Sequence, residues 1–158
     1  MKKLAFLLGL FLFVEAFAAG TVTVTRDTKP YGKDSQVKHV EVITIDWTGD
    51  SSDGSVPEVG VPIAGYVVKA VTNPGSTAPT SNYDIALEDP EDNALDALSA
   101  ALNNRHTTNT EQVYPMIAGS PGTVTSGAPF LLGSYNFSLS GNSVASATGR
   151  LILYVVSR

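Results

Sequence analysis

Apolar and polar side chains alternate along much of this chain, and the alternation predicts β-strands. In the stretch from Thr21 to Thr25, valines alternate with threonines, as in a strand that buries one face. Residues 38–47 form a run rich in β-branched side chains, and its alternation places Ile43, Ile45 and Trp47 on one side. Because the opposite side also carries Val and Thr, this segment is expected to be a more central strand.

The rest of the chain continues the β pattern. Further strands are predicted at residues 65–72, after a short edge piece, and at 83–87, 112–117, 134–140 and 150–156. Turns rich in Gly, Pro, Asn and Ser separate them, and the last two strands are expected to form a hairpin around Gly141 and Asn142. About eight strands predict one all-β domain over residues 19–158, a β-sandwich or a jelly-roll-like barrel.

One short α-helix is expected near residues 91–103. Asp89 followed by Pro90 matches an N-cap with Pro at the first helical position. Ala and Leu then recur at the i, i+3, i+4 spacing of a helix with one buried face. The acidic residues of segment 88–96 leave a Ca²⁺ site open as an alternative, but the EF-hand order is missing and helix capping accounts for most of them. No cofactor or metal is predicted.

Residues 1–18 resemble a cleaved export signal. Lys2 and Lys3 precede an apolar run from Leu4 to Val14, and Ala16-Phe17-Ala18 matches a small-residue cleavage site. The run is well short of the ~20 residues that a membrane-spanning helix needs. The mature chain is therefore not expected to cross a membrane, and the alternative is a retained hydrophobic anchor.

The charge of the chain argues against nucleic acid as a partner. The formal net charge is −5, with ten basic and fifteen acidic residues. Loss of Lys2, Lys3 and Glu15 with the leader would leave eight basic and fourteen acidic residues, a net charge of −6. Affinity for nucleic acid comes mainly from neutralising phosphates, which an acidic chain without a basic run does poorly. The chain has no Cys, so no disulfide can form.

Candidate chemistry is sparse. The two histidines, His39 and His106, lie in no metal-ligand or triad-like motif, and there is no thiol nucleophile. A non-enzymatic protein is therefore expected. Carbohydrate binding is an alternative, although aromatic residues inside strand patterns more often fill a core, and Tyr31 alone is expected at a loop tip. The aromatic residues that could offer flat stacking faces are Trp47 and the six tyrosines Tyr31, Tyr66, Tyr83, Tyr114, Tyr135 and Tyr154.

The segment from Ala78 to Pro115 resembles small β-rich structural proteins of tailed phages. The matching pieces are Ala78-Pro79-Thr80, Asn82-Tyr83-Asp84-Ile85, Asp96, Leu98, Asn104-Arg105 and Thr110-Glu111-Gln112-Val113. A looser likeness extends over residues 65–156, where the final GRLILYVV is similar to the C-terminal strand of such proteins. This resemblance implies a decoration or accessory component of the virion surface, which associates with itself and with a larger shell or tail.

An export signal is not expected in a virion component that assembles in the cytoplasm. The alternatives are therefore a secreted or extracellular filament or adhesin subunit that assembles by strand pairing, or the secreted sugar-binding module. For either assembly role, the predicted contact residues fall in two groups. They are Thr21, Val22, Thr23 and Val24 in the first strand, and Arg105, His106, Thr107 and Thr108 after the predicted helix.

Overall fold

The computed structural model describes residues 19–30, 39–91, 98, 101–118 and 124–157. These residues form an all-β structure, which confirms the predicted fold class. Its nine strands are β1 (Thr21–Pro30), β2 (His39–Thr48), β3 (Val59–Pro74), β4 (Asp84–Glu88), β5 (Glu111–Val113), β6 (Met116–Ala118), β7 (Val124–Ser126), β8 (Phe130–Ser140) and β9 (Thr148–Ser157).

Seven strands form one antiparallel sheet. Its order is β1-β2-β9-β3-β8-β4, and β5 also pairs with β3. The remaining strands, β6 and β7, form a separate two-stranded sheet. The central position expected for residues 38–47 is confirmed, because β2 lies between β1 and β9. Ile43, Ile45 and Trp47 lie on one side of β2 as predicted, and that side faces the core, since each residue is at most 2% exposed.

The long strand β3 belongs to two parts of the sheet. Its first half, from Val59 to Tyr66, pairs with β8, and its second half, from Tyr66 to Pro74, pairs with β9. A register irregularity between Val67 and Lys69 marks the change. Gly65 precedes it with a φ of 149°, and a Cβ there would lie 2.8 Å from the carbonyl oxygen of Val156. The break that the sequence predicts before residue 65 is therefore a bend within one strand.

Two contacts show that the sheet curls back on itself. Arg26 on β1 donates a hydrogen bond to the carbonyl oxygen of Pro62 on β3. Trp47 on β2 packs against Tyr83, the residue before β4. The core lies inside the curl and holds inward-facing side chains of β2, β3, β4, β8 and β9. The finer choice between a sandwich and a jelly-roll-like barrel stays a prediction.

The predicted hairpin between the last two strands is wrong. The strand β8 pairs with β3 and β4, whereas β9 pairs with β2 and β3, so β3 separates them. The segment 141–147 is a crossing loop and not a two-residue turn. The side chain of Asn142 holds it, because Nδ2 donates to the Gly54 carbonyl at 2.7 Å and Oδ1 accepts from the Thr80 amide at 3.0 Å.

Most of the predicted helix near 91–103 lies outside the described residues. Leu98, Ala101 and Leu102 have helical backbone, and both leucines are fully buried, as the spacing predicts. Within the described part of the chain, no helix is long and apolar enough to span a membrane. The predicted leader, residues 1–18, lies outside the described residues.

Candidate functional site

Large hydrophobic side chains are exposed on one outer part of the sheet. Within the described residues, four are exposed by more than a third: Val68 by 37%, Tyr114 by 56%, Phe130 by 56% and Leu132 by 73%. We call these four residues, together with the partly buried Tyr66, the apolar face. Exposed apolar surface of this kind is typical of a protein interaction site.

The pairing of β3 with β8 explains why these side chains point outward. Leu131 is 4% exposed and belongs to the core, so its neighbours Phe130 and Leu132 lie on the opposite side of β8. The register sets Phe130 beside Tyr66 and Leu132 beside Ala64. The rings of Tyr66 and Phe130 are 5.1 Å apart between centroids and tilted by 60°. Four residues of the apolar face thus come from the paired strands β3 and β8, and the fifth, Tyr114, directly follows β5.

A shallow pocket lies at one end of the apolar face. Its volume is about 340 Å³, and it is lined by Val68, Tyr114, Pro115, Gly127 and Ala128, with no charged side chain among these lining residues. Two backbone hydrogen bonds shape it, one from the Gly127 amide to the Pro115 carbonyl and one from the Val67 amide to the Pro129 carbonyl, both at 3.1 Å. A bulky apolar side chain from another molecule could enter it.

The other end of the apolar face is bordered by a neutralised charge pair. Arg26 and Glu41 form an ion pair of 2.7 Å, and both line a second depression together with Pro62 and Leu132. Beyond Leu132, the outward positions of β8 are polar, beginning with Ser134. At the Leu132 end, the apolar face therefore has a polar and charge-neutralised border, as the rim of an interaction surface does.

The predicted contact residues after the helix form a tightly bonded loop. Arg105 is not as exposed as expected, since only 12% of its side chain is accessible. Its guanidinium donates to the Asn103 carbonyl at 2.6 Å and lies 3.3 Å from the Glu111 carboxylate. The same carboxylate accepts the His106 amide at 2.9 Å. Thr107 is partly buried, and its hydroxyl donates to the Pro79 carbonyl at 2.6 Å.

His106 is exposed, but its ring has a structural role in this loop. The Nδ1 atom accepts hydrogen bonds from the backbone amides of Thr108 and Asn109, both at 3.0 Å. By accepting these two amide hydrogen bonds, the ring caps the turn formed by residues 106–109. Thr108 is exposed. Of the second predicted contact group, His106 and Thr108 remain accessible to a partner.

The first predicted contact group lies at the edge of the sheet. Thr21, Val22, Thr23 and Val24 belong to β1, which pairs with β2 over its whole length. Thr21 and Thr23 are exposed, whereas Val22 and Val24 are partly buried against the core. Within the described residues, β2 alone pairs with β1, so the second edge of β1 faces outward.

Several of the described residues that carry the resemblance to phage proteins contact one another, whereas Asp96 lies outside the described residues. Tyr83 forms an isolated bridge with Arg105, in which the Arg105 amide donates to the Tyr83 carbonyl at 2.8 Å. Asp84 accepts the Asn104 amide at 2.7 Å. Asn82 and Asn104 adopt positive φ angles of 62° and 55°, which let the chain turn there. We call this contact between the start of β4 and residues 103–111 the joint.

The described aspartates Asp50, Asp53 and Asp89 each accept a backbone amide two residues further along the chain, as turn residues do. Within the described residues, no group of three or more His, Asp or Glu side chains could hold a metal ion. Asp92 and Asp96 of the candidate Ca²⁺ segment lie outside the described residues, and Asp89 accepts the Glu91 amide at 2.9 Å. Hydrogen bonds from Ser52 lower the pKa of Asp50, and those from Ser55 lower the pKa of Asp53.

Trp47 cannot offer a stacking face to a sugar. It is 2% exposed and packs edge-on against Tyr83, with ring centroids 5.8 Å apart. A Cβ on Gly149 would lie 2.3 Å from its ring, so the Trp47 side chain fills the space that this glycine leaves. Tyr31, which was expected at a loop tip, lies outside the described residues. Tyr114, another of the proposed sugar contacts, is exposed and lies beside the apolar pocket.

Another depression lies at the ends of β2, β3 and β9. It has a volume of about 410 Å³, and its lining includes Asp46, Asn73 and Arg150. Arg150 binds Asp46 through two hydrogen bonds of 2.5 and 3.1 Å, and this pair raises the pKa of Arg150. The guanidinium and the carboxylate satisfy each other's charge and hydrogen bonds, and the pair links β9 to β2.

Sequence reasoning missed the apolar face. The run Phe130-Leu131-Leu132 has no alternation, so it did not indicate which side chains point outward. A comparison with protein-family models finds no match to this chain, and a comparison with curated proteins finds none either. The likeness to phage structural proteins thus rests on the residues of the joint and of the last strand.

Proposed function

We propose that this protein is a non-enzymatic structural component of a phage virion surface, where it associates with copies of itself and with a larger shell or tail. The observation that carries the proposal is the apolar face. Leu132, at 73% exposure, would be an unfavourable surface residue in a protein that stays alone in water. In an assembly, the same side chain is covered by a neighbour and contributes to binding.

The joint supports the proposed family. The motif residues that resemble phage proteins are separated in sequence, yet they contact one another through the Tyr83–Arg105 bridge and the Arg105–Glu111 ion pair. A set of residues that maintains one local structure has a physical reason to occur together. In this proposal, the joint residues carry the likeness to phage proteins, and the apolar face is the surface that binds neighbouring molecules.

An exported filament or adhesin subunit is the second candidate. The observation in its favour is the signal-like leader, in which Lys2 and Lys3 precede an apolar run and an Ala-Phe-Ala cleavage site. This role would place the protein outside the cell and would use the same self-association. A sugar-binding role has less support, because Trp47 is buried.

The association can be tested by changing one exposed side chain. Leu132→Ser removes the most exposed apolar group, and we expect it to lower the mass of the assembly measured by light scattering. Ser134→Ala, two positions along the same outward side of β8, is the matched control and is expected to leave the mass unchanged. A wild-type protein that stays monomeric at high concentration and on addition of virions lacking it would overturn the proposal.

A further inference from the structure

The sheet ends in two strands of very different character. One end is β4, which has only five residues, with Asp84 and Glu88 at its limits. The joint covers its beginning, where the Asn104 amide donates to Asp84. Short length and acidic residues discourage pairing with another chain. The other end is β1, which has ten residues and an outward edge that pairs with none of the described strands.

The protective residues of β1 lie in its second half only. Arg26, Asp27, Lys29 and Pro30 are the kinds of residue that keep an edge strand from pairing. The first half, from Thr21 to Thr25, has no charge and no proline. An edge strand that is protected over one half and open over the other has a defined region where a partner can add.

The open half of β1 reads the same in both directions. Thr21-Val22-Thr23-Val24-Thr25 is symmetric about Thr23. Two antiparallel copies of this segment would therefore set each residue opposite an identical one. Like side chains of this type pair well across strands, since threonines bond to each other and valines pack together.

We propose that the segment Thr21–Thr25 pairs with the same segment of a second copy, antiparallel, across a twofold axis at Thr23. In this register Thr21 faces Thr25 of the second copy, and Val22 faces Val24 of the second copy. Arg26 and Asp27 then lie opposite small residues, Gly20 and Ala19, so no like charges meet. The proposal rests on the proposed self-association, but it uses a surface separate from the apolar face.

The burial pattern of β1 fits the addition of a strand. Val22 and Val24 lie only partly buried against the core, whereas Ile45, beside Val24 in the sheet, is fully buried. A second strand would cover the outer side of both valines and give partners to the backbone groups on the open edge. Because a twofold contact closes on itself, this edge joins two copies and no more. Head-to-tail strand exchange would instead give an open filament.

A cysteine at the axis tests this register directly. The chain contains no Cys, so the only protein thiol that a single introduced Cys can join is the same residue of a second copy; the glutathione mixed disulfide first formed is then displaced by that second thiol. In the proposed pair the two residues at position 23 face each other at about 5 Å between Cα atoms, within the range of a disulfide. We expect full-length Thr23→Cys, oxidised with oxidised glutathione, to become mostly a covalent dimer on non-reducing gels.

The matched control is Thr21→Cys. In the proposed pair the two cysteines at position 21 would be offset by four residues along the strands, about 13 Å, and could not form a disulfide. A mixture of Thr21→Cys and Thr25→Cys is expected to give the mixed dimer. Thr23→Cys that stays monomeric, or Thr21→Cys that links to itself equally well, would overturn the proposed pairing. If wild type still associates and Leu132→Ser still lowers the mass of the assembly, the proposed function would survive this failure.

Discussion

Trp47 and Tyr83 pack edge to face, with ring centroids 5.8 Å apart, although three strands of the sheet lie between β2 and β4. The contact is possible only because the sheet curls. Neither Trp47 Nε1 nor the Tyr83 hydroxyl has a hydrogen-bond partner among the described residues, and both atoms are buried. The Trp47–Tyr83 contact is therefore stabilised by ring packing and not by a hydrogen bond from either side chain.

Tyr83→Phe is expected to preserve or raise stability at neutral pH. Removing a buried hydroxyl that has no partner relieves a desolvation cost of about 1 kcal/mol or more. The free energy of unfolding, measured by urea denaturation, checks this. Tyr83→Ala is the contrasting variant and should cost about 3–5 kcal/mol by leaving a cavity. A clear loss of stability in Tyr83→Phe would mean that the hydroxyl has a partner.

The same residue makes the protein sensitive to alkaline pH. Burial raises the pKa of Tyr83 to about 12, from 10.0, and the charge of Arg105 offsets only part of this. The hydroxyl keeps its proton in the folded state while the unfolded chain loses its own, so stability is full below about pH 10 and falls between about pH 10 and 12. The resulting loss in the free energy of unfolding is about 3 kcal/mol at most. Tyr83→Phe has no hydroxyl to titrate and should not show this loss.

Glu111 is expected to be important for the joint. Its carboxylate receives both the Arg105 guanidinium at 3.3 Å and the His106 amide at 2.9 Å. Glu111→Gln removes the charge near an Arg105 side chain that is 12% exposed, and we expect a loss of about 1–2 kcal/mol in the free energy of unfolding.

The control for Glu111→Gln is Asp27→Asn. The Asp27–Lys29 pair spans 3.3 Å, but its side chains are 63% and 67% exposed. Exposed pairs contribute little, so the change in stability should stay below about 0.5 kcal/mol. Equal effects of the two substitutions would mean that the joint does not depend on the Glu111 contacts.

The strands of this protein were easier to predict than their arrangement. Alternation correctly placed Ile43, Ile45 and Trp47 on one side of a strand, because side-chain direction follows from local backbone geometry. The pairing of β8 and β9 was not predictable, since Asn142 and the loop around it direct the chain across β3 through contacts distant in sequence. Local patterns contain little information about such contacts.

The candidate site was predictable only in part. The contact segment Thr21–Val24 could be selected because it is an alternating strand just after the predicted leader. The apolar face could not be found in this way, because the outward direction of Leu132 depends on the register of β8 with β3. The available signal was the apolar character of the segment from Pro62 to Tyr66. It indicates an apolar neighbour on β8 only when the pairing of the two strands is already known.

The central claim is that this chain is a component of a virion surface. Mass spectrometry of purified virions, with the chain quantified against the major shell protein, tests this most directly. We predict many copies per particle, retained after washing, and the N-terminal peptide will show whether residues 1–18 have been removed. Detection of the chain only in the cell envelope or the medium, with none in virions, would contradict the claim.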